Sequence, residues 1–152
     1  MKKALVALSV VALFATGLMY YLDRNFLYTP FSKLDEDITV YSWYKFRQPL
    51  ELEITLVDSG WKSKKISEKN QIVEILEELK KLEYADLAEK REGRNFALTL
   101  RKEGTSGLEG ILLQFHGYEH GDIWVNNGKI KRLSDGFRRK ITAILNDIES
   151  GN

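Results

Sequence analysis

Two histidines and a glutamate fall within five residues in His116-Gly117-Tyr118-Glu119-His120, and these are the only histidines of the chain. Imidazoles one helical turn apart would bind a single zinc ion, with the glutamate beside them as general base for a metal-bound water. The chemistry would be metal-dependent hydrolysis, with a distant carboxylate as third ligand. A weaker version has His116, Glu119, His120 and Asp122 holding a regulatory or adventitious metal ion.

The string matches the His-x-x-Glu-His pattern of inverted zinc peptidases, which works from a helix interior. Here it lies between two strand-like runs, contains Gly117 and is followed by Gly121 and Asp122. That context predicts a hairpin loop with a polar exposed turn.

A second group is basic: Lys129, Lys131, Arg132, Arg138, Arg139 and Lys140, interrupted only by Asp135. Near an anionic lipid or wall polymer each well-placed cation would contribute about 1 kcal/mol. The alternative is a solvated face balanced by the glutamates at positions 74, 77, 78 and 83. A third group is aromatic. Tyr41, Trp43, Tyr44 and Trp61 surround the first strand-like runs, with Tyr118 and Trp124 further on. If helices cover only one face of a sheet, some of these rings are exposed and form a glycan- or peptide-binding surface; the rest are core. For other catalysis the signals are missing: there is no Gly-x-Ser-x-Gly elbow. Gly104-Thr105-Ser106-Gly107 lacks the Gly-Lys-Ser/Thr ending of a phosphate loop.

The elements that position these groups follow from periodicity. Alternation from Asp37 puts Ile38, Val40, Ser42, Tyr44 and Phe46 on one side and predicts a strand over 38–46, forming a hairpin with 50–56 across Gln48-Pro49. Residues 61–66 read as a third, exposed strand whose lysines 62, 64 and 65 guard a sheet edge. Ser67 is an N-cap candidate for an amphipathic helix over 68–83, with Ile72, Ile75, Leu76 and Leu79 on one stripe. Strands are expected at 96–101, 108–115, 122–125 and 129–133, with Asn126-Asn127-Gly128 as a tight hairpin turn. A closing helix begins at Ser134. The expected fold class is α+β: an antiparallel sheet of about five to seven strands with two amphipathic helices packed on one face.

Ahead of this domain, Lys2 and Lys3 precede an apolar run from residue 4 to 22, closed by Asp23 and Arg24. Nineteen residues span roughly 28 Å as a helix, close to the hydrocarbon thickness of a bilayer. Lysines ahead of the run set the amino terminus inside and the carboxyl terminus outside the cytoplasm. A cleaved signal would end near Ala15-Thr16-Gly17, but the apolar character continues to Leu22 with Tyr20 and Tyr21 at interface depth. The expectation is therefore a retained signal-anchor over 1–22, a tether or first docking segment over 23–36, an extracytoplasmic domain over 37–149 and a tail over 150–152. If the signal is cleaved the domain is secreted.

With Lys2 and Lys3 set aside, 21 basic residues face 22 acidic ones, a balance that argues against nucleic acid as partner. Cysteine is absent, which removes disulfides, thiolate metal sites and cysteine nucleophiles, and no Asn-x-Ser/Thr acceptor occurs. An exported domain lacking both suits a bacterial envelope. The layout of apolar amino terminus, hairpin, amphipathic helix, meander and closing helix resembles small membrane-anchored or secreted domains of unknown function from Bacillus-type bacteria. The resemblance implies an accessory role in the envelope and no catalytic residue or cofactor. The expected function is non-enzymatic recognition of an envelope protein or wall component. The alternatives are the metal-dependent hydrolase and a sensor or inhibitor domain acting on a neighbouring membrane protein.

Overall fold

The computed structural model describes residues 2–32, 38–85, 91–125 and 128–151, with side chains from Val6 onward. Helix α1 (Lys2–Asn25) leads into an antiparallel sheet of β1 (Leu50–Leu56), β2 (Lys62–Ile66), β3 (Asn95–Lys102), β4 (Ile111–Tyr118), β5 (Asp122–Trp124) and β6 (Ile130–Arg132). Helix α2 (Lys69–Lys80) lies between β2 and β3 in sequence, and α3 (Asp135–Ser150) closes the chain. The strand order is β2-β1-β3-β4-β5-β6. This is the α+β class expected, with both amphipathic helices on one face.

Period two explains the sheet's two faces. Leu52, Ile54 and Leu56 pair with Leu100, Leu98 and Phe96, which pair in turn with Leu113, Phe115 and Gly117. These rows form the core with Ile72, Ile75, Leu76 and Leu79 of α2 and Phe137, Ile141, Leu145 and Ile148 of α3. Gly117 interrupts a bulky row because a Cβ there would meet the Phe96 ring at 3.0 Å and the Ile123 side chain at 3.1 Å. The ring occupies the space that a larger residue would need.

Three local expectations are corrected. No strand forms in the described residues 38–46; Trp43–Lys45 is a short 3-10 turn instead. Its alternation is real, but the backbone groups bond elsewhere: Tyr41 N donates to Thr39 Oγ1, Lys45 N to Ser42 O and Leu27 N to Phe46 O. Nor could the segment join β1, whose two edges are taken by β2 and β3. The first hairpin is therefore β1–β2, with the lysine-bearing β2 at the sheet edge as its charges predict. At α2 the N-cap is Glu68 rather than Ser67, without a side-chain cap bond. Strand β4 starts at Ile111 rather than 108, because the chain turns through Gly107 and Gly110, both at positive φ. Ser134 does cap α3, its Oγ accepting from Phe137 N at 3.2 Å. Asn126 and Asn127 of the expected tight turn lie outside the described residues.

Residues 23–32 are docked. Leu27 and Tyr28 are buried in the core, and Tyr28 meets Phe46 edge to face at 5.0 Å. Burial, with the Glu77 carboxylate nearby, pushes the Tyr28 phenol well above its ordinary pKa. Asn25 O accepts from Gln48 N, Phe26 bridges to Arg47, and Lys69 Nζ holds the Asp23 carboxylate at 2.8 Å. The helix thus runs into the domain through several bonds, to residues 46–48 and to Lys69.

Candidate functional site

The histidine string is a hairpin whose side chains diverge. His116 pairs in register with Ala97 on one side and Trp124 on the other, so it projects from the face opposite the helices. Glu119, at the turn, points to the helix side, where its carboxylate accepts from Thr142 Oγ1 at 2.6 Å and from Arg94 at 2.7 and 2.8 Å. The hydrogen bonds from Arg94, outweighing desolvation, hold its pKa at about 2. His120 is exposed and lies over Gly93, a residue at positive φ where a Cβ would come within 2.8 Å of the imidazole. Asp122 is buried, with Arg132 Nε 3.7 Å away. Among the described residues no group of three or more acids or histidines is arranged to hold a metal ion. A general base bonded to a guanidinium and held at so low a pKa is poorly suited to take a proton near neutrality. Sequence spacing suggested convergence; strand alternation separates His116 from Glu119.

Arg94 was invisible to that reading. Besides Glu119 it binds Glu149 at 2.8 Å and Asn146 at 2.9 Å, both on α3. Its partners lie 25 to 55 residues away in sequence, beyond any periodic signal. A guanidinium fork matching a carboxylate is a strong charge-assisted pair, and here it ties the β4–β5 turn to the closing helix.

The basic group is largely engaged within the molecule. Lys140 bridges Glu74 and Glu78 of α2, each at 2.7 Å, which raises its pKa against the opposing effect of desolvation. Arg138 binds Asp135 and the Leu133 carbonyl, and Arg132 faces Asp122. Lys131, only 2% exposed, points into the domain and donates to the Lys80 carbonyl at 3.1 Å. Lys129 stands over the Tyr84 ring, 5.3 Å from its centre. Arg139 is the exposed member on α3. This matches the solvated, internally balanced face more closely than a free anion-binding patch. Lys131 also sits by the carboxyl end of α2, whereas Lys69, bonded to α1, begins that helix. The eleven-residue separation is roughly 17 Å along its axis, about two Debye lengths.

The aromatic residues divide into separate groups. Trp43 packs on Phe26 at 5.0 Å and on Tyr44 at 6.1 Å, close to the end of α1, with Tyr41 and Tyr44 exposed. Trp124 packs on Tyr118 at 5.7 Å on the face opposite the helices, and Arg91 stands over its ring at 5.6 Å. Trp61 is 69% exposed in the β1–β2 turn, with φ at 63°. The face carrying Trp124 continues through His116, Ala97, Thr55 and Ser63 in one row across the sheet. Beside that row runs a polar lattice in which Arg101 pairs with Glu53 at 3.0 Å and Lys65 with Glu51 at 2.9 Å. Ala97 and Thr99, on the same face, are both buried. Comparison with known proteins gives no matching family, no similar curated protein and no similar solved structure.

Proposed function

We propose that the chain is a single-pass membrane protein whose α+β domain sits outside the cytoplasm and recognises another envelope protein or a wall component, without turning over a substrate. The supporting observation is the exposure of α1. Its span Val6–Asn25 is long and apolar enough to cross a bilayer, and only 6% of its most apolar window is buried within the protein. A core helix of a soluble domain hides such a surface; lipid is the environment that removes it from water. Recognition is assigned to the face opposite the helices, where Tyr118 and Trp124 pack edge to face beside the exposed His116, because aromatic residues supply contact area at low conformational cost.

Alkaline carbonate extraction and protease accessibility of a carboxyl-terminal tag in intact cells test the anchor and its orientation. Retention in the pellet with an accessible tag is expected; a soluble protein or a protected tag would overturn the topology. Cross-linking from position 118 or 124 should capture a partner that Trp124→Ala releases. Robust turnover of a substrate by the purified protein, abolished by a point change, would overturn the non-enzymatic reading.

One observation favours a second reading, that of a sensor or inhibitor acting on a neighbouring membrane protein. The joint between α1 and the domain is bonded through Asp23, Asn25 and Phe26 rather than loosely tethered. A stiff joint carries movement of the domain into the helix, which a free linker does not.

A further inference from the structure

Where α1 meets the domain the chain surrounds an open cleft of about 640 Å³. Tyr20, Asp23 and Arg24 of α1 line it, with Thr29 and Ser32 of the docked segment and Lys69 from the start of α2. Lys69 Nζ binds both the carboxylate and the backbone carbonyl of Asp23, so the acid in this lining is neutralised from within it. Arg24, exposed, leaves the lining with one positive charge in excess. Thr29 and Ser32 add hydroxyls 3.2 Å apart; because one donates to the other, one hydroxyl proton of the pair is left for a ligand. Leu27 and Val73 give the same cleft an apolar edge.

Depth decides which anion fits. The apolar run ends at Leu22, and Tyr20 to Arg24 covers about 6 Å of helix, so with α1 in a bilayer the cleft opens in the headgroup layer. We propose that it binds the phosphodiester of an anionic glycerophospholipid from the leaflet at this end of α1, an assignment that rests on the membrane-spanning reading above. Arg24 and the spare hydroxyl contact the phosphate oxygens, Lys69 adds its field, and Leu27 with Val73 receives the glycerol end. This anion contact lies at the other end of α2 from residues 129–140, close to the membrane.

The test uses the full chain in nanodiscs of phosphatidylcholine with and without phosphatidylglycerol, and counts lipids retained on release into native mass spectrometry. Wild type is expected to retain phosphatidylglycerol in preference to phosphatidylcholine, and Arg24→Gln to retain about fivefold less, as loss of one interfacial charge contact implies. Arg24 is exposed, so the variant should keep the wild-type circular dichroism; Ser32→Ala gives a second, independent reduction. Equal retention of phosphatidylglycerol by wild type and both variants would overturn the site, as would retention without lipid preference. Binding of inorganic phosphate alone that matches the lipid would reassign the cleft to a soluble anion and overturn the lipid assignment. Failure of the chain to co-elute with discs of either composition is a separate result, which overturns the membrane reading before any lipid is counted.

Discussion

Arg94 grips Glu119 through two parallel bonds of 2.7 and 2.8 Å, and that one pair joins the approach to β3, the β4–β5 turn and the closing helix. The glutamate that sequence spacing offers as a catalytic base is in the structure a fastening. Its side chain is 6% exposed, so water does not replace Arg94 if the guanidinium is removed, whereas Arg94, 21% exposed, keeps Glu149 and Asn146 but loses its bidentate partner when Glu119 is removed.

Glu119→Ala should therefore destabilise the protein by about 3 kcal/mol, the cost of leaving a largely buried guanidinium without its main partner. Glu119→Gln, which keeps the size and loses the charge, should fall between the variant and wild type. Urea unfolding of the three proteins checks the order; equal midpoints would remove the fastening role.

The same pair sets a pH response. Glu119 is lowered from the ordinary 4.5 to about 2 in the folded chain, chiefly by the Arg94 hydrogen bonds. A depressed folded value means the contribution is complete above the ordinary one and disappears as pH falls from about 4.5 through about 2. Its size is about 3 kcal/mol. Thermal midpoints of wild type should fall across that window more steeply than those of Glu119→Gln.

Trp61 holds an indole in water on a left-handed backbone, at φ 63°. That conformation costs a residue with a Cβ roughly 1 kcal/mol relative to glycine. Trp61→Gly should accordingly raise stability by about 1 kcal/mol, whereas Trp61→Ala, which keeps the Cβ, should change it little. If the exposed indole contacts a partner, both variants lose that contact equally. Denaturation and partner capture measured on the two variants separate backbone from side chain.

Periodicity made the helices, the lysine-guarded edge and the core rows legible, because burial on one face imposes a repeat that the residues display directly. Helix α3 begins where its serine cap predicts, ahead of Phe137, Ile141 and Ile148. The segment 38–46 shows why alternation is insufficient: its residues alternate, yet β1 has no vacant edge for it. The histidine string forms the hairpin its context predicts, and a spacing that converges on a helix diverges on a strand. Arg94 and the Arg24–Lys69 cleft depend on contacts between distant segments. Only the cleft left a trace, in the charged flank of the apolar run.

Lys131 supplies a final distinction between a charge that binds outward and one that holds the fold. Its alternation in β6 places it with Ile123 on the core side, where the ammonium reaches the Lys80 carbonyl and stands 5.2 Å from the centre of the Tyr84 ring. A cation at the carboxyl end of α2 is favoured by the helix dipole, but burying it carries a desolvation cost that offsets much of the gain. Lys131→Met retains most of the apolar stem and should lie within about 1 kcal/mol of wild type. Lys131→Ala loses that packing as well and should cost about 2 kcal/mol or more. Chemical denaturation orders the variants. If Met proves as damaging as Ala, the ammonium itself, rather than its stem, holds β6 to the end of α2.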